Sequence, residues 1–331
     1  MKAIFACPKC KTVLDLFRCP KCGYEIPQVH SIWQFCDAPA IQLDGGDKYI
    51  GYDNIGENFE PAVKYWDANN TERYGVYESC GDRLAAILGH DGIALDLGAG
   101  LGTASIPLAQ NGIFTIAGDI SNVMLATAVK RAGGRYANLI CARMNAYDIP
   151  LTDHSVDIVI ENAMLHLVSD PEKVIREIVR VLKPEGQLVR YGSYAQPLSE
   201  DEAKQNAYCN SVLSDISDVF YDTLKGFGYE SIWFDNHFAD VILKYFEKPC
   251  NEAVPGFSEI FTDKLKFRLH RLKTGAHSDL QNTPREWIDA AWRAADRYAV
   301  QRYGEDYFEI KGFSRYGAVI DRYRVKKRIE Q

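Results

Sequence analysis

Cys7, Cys10, Cys19 and Cys22 form two Cys-x-x-Cys pairs within CPKCKTVLDLFRCPKCG. Each pair aims two sulfurs at one point, and two such knuckles complete the tetrahedral four-thiolate shell that zinc prefers. The eight residues between Cys10 and Cys19 suffice for a hairpin joining the knuckles. A segment this small buries too little apolar surface to fold alone, so a bound ion would supply its stability. Four thiolates leave no open coordination position, so the zinc is expected to be structural rather than catalytic. Two pairs at matched spacing also argue against a redox Cys-x-x-Cys. Cys36 lies outside the knuckle pattern and reads as a spare thiol. His270 and His277 are not spaced from cysteines as ligands would be.

A second constellation lies in GIALDLGAGLGTASIPLAQNGIFTIAGDIS, residues 92–121. IALDL reads as a buried parallel strand, TASIPLAQNG as a helix stopped by Gly112, and IFTIAGD as a second strand ending on Asp119. Pro107 is awkward inside that helix and predicts a kink. Gly98, Gly100 and Gly102 between strand and helix let a ligand approach the backbone. A dinucleotide fingerprint needs glycine at 103, where Thr103 stands, and no lysine follows as a phosphate loop requires. Asp96 precedes the first glycine by two residues. A carboxylate there repels pyrophosphate and suits the cationic amino-acid end of S-adenosylmethionine (SAM). Asp119, at the end of the second strand, suits a pair of ribose hydroxyls.

Residues 139–193 continue with HSVDIVIEN as a fourth strand, DPEKVIREIVRVLKPEG as a helix capped at Asp170 and ended by Pro184 and Gly186, and QLVRYG as a fifth strand. From about residue 45 to 195 the chain resembles class I SAM-dependent methyltransferases, the UbiE-like small-molecule enzymes among them. The opening cysteines resemble the ribbon of zinc-ribbon rRNA guanine methyltransferases, although those ribbons often include a histidine ligand. The resemblance implies that Asp96, Gly98, Gly100 and Gly102 hold the methionine end of SAM and that Asp119 and Ile120 hold the ribose. It places the adenine at Met144, Asn145 and Ala146, and Asn162 is counted with the cofactor residues. Many family members carry Asp where this chain has Asn145, whose amide can accept from the adenine amino group and donate to a ring nitrogen.

Methyl transfer from a sulfonium is an in-line displacement with a neutral leaving group, so alignment supplies much of the catalysis. A base is needed only if the acceptor must lose a proton. The loop after the fourth strand offers Glu161, Asn162 and His166, with His166 the candidate general base. Asn162-Ala-Met-Leu is not the Asn-Pro-Pro-Tyr motif that grips exocyclic amines, which argues against base-amine methylation of DNA. Tyr49 and Tyr52 lie in a segment that folds over the SAM pocket in many members of the superfamily.

The elements that must position these residues imply an α/β fold. The expectation is a Rossmann-like class I sheet with helices on both faces, an N-terminal zinc ribbon and a helical, aromatic C-terminal lid. The expected divisions are a ribbon over 1–36, a SAM-binding core over 37–198, and a lid plus closing strands over 199–331. Of the chain's 39 Phe, Trp and Tyr residues, 24 fall after residue 189, which marks that last part as more than two closing strands. Within it, residues 199–228 read as helix, YESIWFD at 229–235 as a strand, 235–282 as a lid insertion, TPREWIDAAWRAADRYAVQRYG as an amphipathic helix, and 307–327 as a closing hairpin.

With 331 residues, 47% hydrophobic and net charge −7, the chain has the composition of a soluble globular protein and not of one that coats nucleic acid. The basic run Arg322, Arg324, Lys326, Lys327 and Arg328 reads as a solvated strand and tail. The N-terminus lacks a signal-peptide profile and no apolar run approaches ~18 residues, so a cytoplasmic location and no membrane partner are expected. Residues 1–36 carry five Lys and Arg against two Asp and Glu, leaving a zinc-loaded ribbon near +1, too weak to grip phosphates. The sequence therefore favours a SAM-dependent methyltransferase of a small-molecule acceptor. The alternative is an RNA methyltransferase that uses its ribbon for recognition. The ribbon is expected to pack near Tyr49 to Tyr65 and help close the pocket.

Overall fold

Apolar runs of four to six residues bounded by glycines and charges become the inner strands, as expected for segments buried on both faces. The structure, a computed structural model, describes residues 4–52, 71–89, 91–231, 234, 236–256, 258–261 and 264–326. Its strands are β1 (Gln28–Val29), β2 (Ile32–Gln34), β3 (Ile41–Gln42), β4 (Tyr49–Ile50), β5 (Ile93–Leu97), β6 (Phe114–Asp119), β7 (Leu139–Arg143), β8 (Val156–Glu161), β9 (Leu182–Ala195), β10 (Cys250–Ala253), β11 (Glu259–Phe261) and β12 (Ser314–Arg324). Its helices are α1 (Thr71–Leu88), α2 (Ser105–Gln110), α3 (Asn122–Ala132), α4 (Pro171–Val181), α5 (Glu200–Gly226), α6 (Phe238–Tyr245), α7 (Lys264–Thr274) and α8 (Arg285–Tyr303).

One mixed sheet runs β1-β2-β7-β6-β5-β8-β9-β12-β10, with β11 also on β12. Strands β5 to β9 are mutually parallel, and β12 is antiparallel to both β9 and β10. The chain builds outward from β5 through β6 to β7, then returns to the other side of β5 for β8 and β9. That reversal leaves a crevice at the carboxyl ends of β5 and β8, where ligands bind in open α/β sheets.

Alternation along β5 sends Ile93, Leu95 and Leu97 into the core shared with α4 and α6, and Ala94 into the core under α1 and α2. Helices therefore cover both faces. Asp170 caps α4 through its side chain, which accepts from the Lys173 N–H. The helix ends at Val181, however, and residues 183–186 already belong to β9 rather than to a helical end. Pro107 produces no kink, because it falls in the first turn of the short α2, where an N–H has no helical partner to lose.

The ribbon docks by backbone. Thr152 N–H donates to the Ile4 carbonyl at 2.8 Å and Ala6 N–H to the Pro150 carbonyl at 3.0 Å. Phe17 stacks on Trp33 at 3.6 Å between ring centroids, and β2 extends the sheet by pairing in parallel with β7. Among the described residues the ribbon docks on residues 148–152 and β7, and Tyr49 shares a core cluster with Phe5, Phe17 and Phe35. Tyr49–Tyr52 also border the cavity described below, and the rest of that segment, Tyr65 included, lies outside the described residues.

The C-terminal part departs most from expectation. Residues 238–253 are not lid; they supply α6 on the core face and the edge strand β10. The separate helical module is built from α5, α7 and α8. Cys209, Val212, Ile216, Phe220 and Leu224, spaced three or four apart along α5, pack against Leu265, Leu269 and Leu272 of α7 and Ile288, Ala291, Trp292, Ala295 and Ala299 of α8. No strand forms at 229–231 or 234, the described positions of that expected strand. The expected hairpin at 307–327 is a short turn at Glu305–Glu309 followed by β12, whose partners β9, β10 and β11 come from elsewhere in the chain. Lys327 and Arg328 lie outside the described residues.

Candidate active site

The carboxyl ends of β5, β6 and β8 open into a cavity of about 360 Å³. Asp96, Gly98, Gly100, Asp119, Ile120, Met144, Asn145, Ala146 and Asn162 all line it. Gly102 is not among the lining residues. It turns the loop by donating its N–H to the Ala99 carbonyl at 2.9 Å and lies against Ala128 of α3. Gly98 adopts φ +79°, and a Cβ there would sit 2.6 Å from the Met164 side chain, so glycine is needed both for the turn and for the approach.

Asp119 braces the loop. One carboxylate oxygen accepts from the Gly100 N–H at 2.8 Å and the other from the Ser121 N–H at 2.8 Å. Asp96 is 3% exposed and accepts from the Ser105 hydroxyl. Burial pushes its carboxyl up to about 7, opposed by the Ser105 hydrogen bond and reinforced by the charges of Asp119 and Glu161. Such a group favours a cation placed beside it. Asn145 uses its side-chain oxygen locally, accepting from the Tyr147 N–H at 3.0 Å, which leaves that oxygen one further lone pair for an adenine amino group. Its amide nitrogen remains the candidate donor to a ring nitrogen.

Glu161, fully buried, shapes the loop after β8. Its Oε1 accepts from the N–H groups of Met164 and Leu165 at 2.8 and 2.9 Å, around Ala163 at φ +57°. Its Oε2 lies 3.0 Å from Arg190 Nε, a charge pairing without hydrogen-bond alignment. Asn162 accepts from the Tyr191 N–H at 2.8 Å through Oδ1.

His166 does not line the cofactor-sized cavity. It lies in a second cavity of about 390 Å³ that shares Tyr77, Asn162 and Ala163 with the first and is completed by Arg190, Tyr191 and Phe238. Burial lowers the His166 pKa, with Arg190 adding to the effect and Glu161 opposing it, so the imidazole is neutral at neutral pH.

Sequence reasoning missed several lining residues. Arg271 of α7 reaches the first cavity from the helical module, and Ala276, just beyond α7, packs with Leu101 and Met124 beside the glycine loop. Nothing in the sequence ties residue 271 to residue 101. Tyr191 and Arg190 sit within the QLVRYG run, which was legible as a strand but not as a cavity wall.

The four ribbon sulfurs lie within 4.8 Å of one another, with separations of 3.4 Å for Cys10 to Cys19, 3.6 Å for Cys7 to Cys22 and 3.7 Å for Cys10 to Cys22. A tetrahedron with Zn–S bonds of about 2.3 Å has edges of about 3.8 Å, so the donor set fits such an ion. Each knuckle closes by a backbone bond, Lys11 N–H to the Cys7 carbonyl at 2.8 Å and Gly23 N–H to the Cys19 carbonyl at 2.9 Å. Cys36 is not part of this cluster.

Residues 95–190 match the family model described as a methyltransferase domain. Over 96 residues the chain is 41% identical to a demethylmenaquinone methyltransferase of Clavibacter sepedonicus, covering 29% of this chain and 38% of that protein. Over 151 residues it is 33% identical to the demethylmenaquinone methyltransferase of Thermobifida fusca, covering 45% and 62%. The chain thus spans about two fifths of the first of these relatives and under two thirds of the second. A crystal structure of a SAM-dependent methyltransferase from Aquifex aeolicus aligns with 42% of this chain and 76% of its own, at 21% identity and TM-score 0.35. By its sequence match and by the strand order built around β5, the segment 95–190 belongs to the class I methyltransferase domains.

Proposed function

We propose that the protein is a SAM-dependent methyltransferase of a small-molecule acceptor, carrying one structural zinc ion in its ribbon. The observation that carries this reading is the paired cavity. A SAM-sized space ringed by the glycine loop, Asp96 and Asp119 opens, past Tyr77, Asn162 and Ala163, onto a second space beside it. When bound, SAM supplies an activated methyl group on a sulfonium. Asp96 would hold the cofactor's ammonium, the Asp119-braced loop its methionine and ribose portions, and Met144, Asn145 and Ala146 its adenine. The protein's further part is to align the acceptor and exclude water, with His166 in place to receive a proton where the acceptor must lose one.

Cys7, Cys10, Cys19 and Cys22 would hold the zinc, and reduced thiols in this state fit a cytoplasmic setting. Among the described residues no helix is long and apolar enough to cross a membrane. The RNA alternative gains no support from the ribbon surface. Lys11 pairs with Asp148 at 2.7 Å, Arg18 with Glu25 at 3.4 Å, and Lys9 sits over the Tyr24 ring, so three of the four basic groups among its described residues are engaged. The names of the relatives make ring-bearing acceptors the first class to screen.

The test is calorimetry with SAM, S-adenosylhomocysteine and NAD, followed by methyl-labelled SAM with pooled metabolites and with total RNA. Binding of the two SAM-type ligands but not NAD, with label entering metabolites, is expected. Tight NAD binding without SAM binding overturns the class, and salt-sensitive labelling of RNA alone overturns the acceptor.

A further inference from the structure

Asp96 and Asp119 give the first cavity two acids, and Arg271 is the one Lys or Arg among the described residues that line it. A cofactor whose amino-acid end carries both an ammonium and a carboxylate needs a partner of each sign. With Asp96 on the ammonium, the carboxylate still lacks its cation, and no Lys or Arg within residues 95–190 reaches the cavity.

Arg271 arrives from α7, which Leu265, Leu269 and Leu272 anchor in the core shared with α5 and α8. The helix ends at Gly275, whose φ of +70° makes the turn, and a Cβ there would sit 2.8 Å from the Ile288 side chain of α8. Gly275 N–H donates to the Leu272 carbonyl at 3.1 Å and Ala276 N–H to the Arg271 carbonyl at 2.9 Å, the paired bonds of a Schellman end. Ala276 is in turn buried against Leu101 of the glycine loop and Met124 of α3, with Tyr52 packed on the same cluster. One helix end therefore ties residue 271 to the loop that is assigned the methionine portion.

The surrounding charges agree. Burial pushes the Tyr52 hydroxyl up, a Ser278 hydrogen bond and the Arg271 charge oppose this, and Asp279 and Asp119 reinforce it, so Tyr52 lies within reach of both Arg271 and the ribose-side acid. His277 adds no second cation, because burial lowers its pKa to about 3 and the charges of Arg271 and Arg268 act in the same direction. Arg271 lines the first cavity and not the second, which assigns its charge to the cofactor space rather than the acceptor space.

We propose that Arg271 holds the carboxylate of the cofactor's amino-acid end, making the α5-α7-α8 module a clasp that completes the cofactor site from outside residues 95–190. This rests on the reading of the first cavity as the SAM site. A guanidinium presents a planar fork of N–H donors that matches a carboxylate, which a lysine ammonium reproduces only as a point charge.

The test is calorimetry on the full chain with S-adenosylhomocysteine and with S-adenosyl-3-thiopropylamine, which keeps adenosine, thioether and ammonium and lacks only the carboxylate. The intact protein should bind S-adenosylhomocysteine about tenfold or more tighter, as a charge-assisted hydrogen-bonded pair allows. Arg271→Gln should bring the two affinities to within about twofold by weakening only the first, and Arg271→Lys should keep part of the preference. Asp96→Asn should weaken both probes and preserve their ratio, because both carry the ammonium. A purely structural Arg271 would instead weaken both probes alike when replaced. Equal affinities in the intact protein, which no variant's folding can obscure, or a ratio that Arg271→Gln leaves unchanged, overturns the clasp alone. Failure of both probes to bind the intact protein overturns the cofactor reading and the clasp with it.

Discussion

Replacing Asp96 with asparagine should make the protein without ligand more stable at pH 8 while weakening its hold on SAM. The carboxyl is buried beside Asp119 and Glu161, and burial raises it from 3.8 to about 7. A shift of about three units corresponds to a ceiling of about 4 kcal/mol. Because the folded value exceeds the unfolded one, the folded state keeps a proton that the unfolded chain loses between about pH 4 and 7. Stability from this group therefore falls as pH rises through that window and stays low above it. The amide of Asp96→Asn cannot ionise but can still accept from Ser105, so the gap in stability between variant and parent should widen from pH 5 to 8. A cation docking beside Asp96 restores the carboxylate, so SAM binding to the parent should release a proton below pH 7 and weaken by up to about tenfold per unit toward acid. In the variant, affinity should be lower and nearly independent of pH. Urea unfolding and calorimetry in buffers of different ionisation enthalpy measure both halves. A variant less stable than the parent by the same margin at pH 5 and 8, or a parent whose SAM affinity is flat across pH 5 to 8, would refute the reasoning.

Three further outcomes are expected. Purified protein should hold one zinc per chain by elemental analysis, and Cys19→Ser should release it and expose the ribbon to proteolysis, since the fold of this segment depends on the ion. Asp119→Ala should weaken SAM by roughly 1 to 3 kcal/mol, read by calorimetry, because it removes a charged hydrogen-bonding partner and also frees the Gly100 N–H that the carboxylate braces at 2.8 Å. His166→Ala should lower kcat on the acceptor and leave SAM affinity unchanged, because His166 borders the second cavity and not the first; a matching loss of SAM affinity by calorimetry would contradict this placement.

Local chemistry was readable wherever residues act through neighbours in the chain. The two cysteine knuckles, the Asp96-to-Gly102 loop, Asp119 at the end of its strand and the Asp170 cap all depend on spacings of a few residues. Their expected elements stand nearly to the residue, IALDL becoming β5 at Ile93–Leu97. Misreadings arose where a segment's role depends on a distant partner. KPEG carries helix-stop residues and bulges out within β9, between Leu182, which pairs with Val156, and Gln187, which pairs with Ile158, so the chain passes from helix to strand without a separate loop. The edge strand β10, with the sequence CNEA, has little intrinsic strand character and exists because β12 pairs with it.

Taken alone, the sequence determined that the protein has a cysteine cluster suited to zinc, a β-α-β cofactor loop suited to a cationic ligand, and a class I methyltransferase core. The first two follow from local geometry, which backbone turns and short-range hydrogen bonds dictate, and the third was implied by resemblance to a known family. Tertiary structure alone decided three things: that the segment after the ribbon joins the sheet edge at β7, that α5, α7 and α8 form their own core and send Arg271 to the first cavity, and that Asn162 and Tyr191 meet at the ends of β8 and β9 through the Tyr191 N–H. Each is a contact between residues tens of positions or more apart. Packing of apolar faces and pairing of strand edges select such contacts across the whole chain, and no spacing within a single segment encodes them.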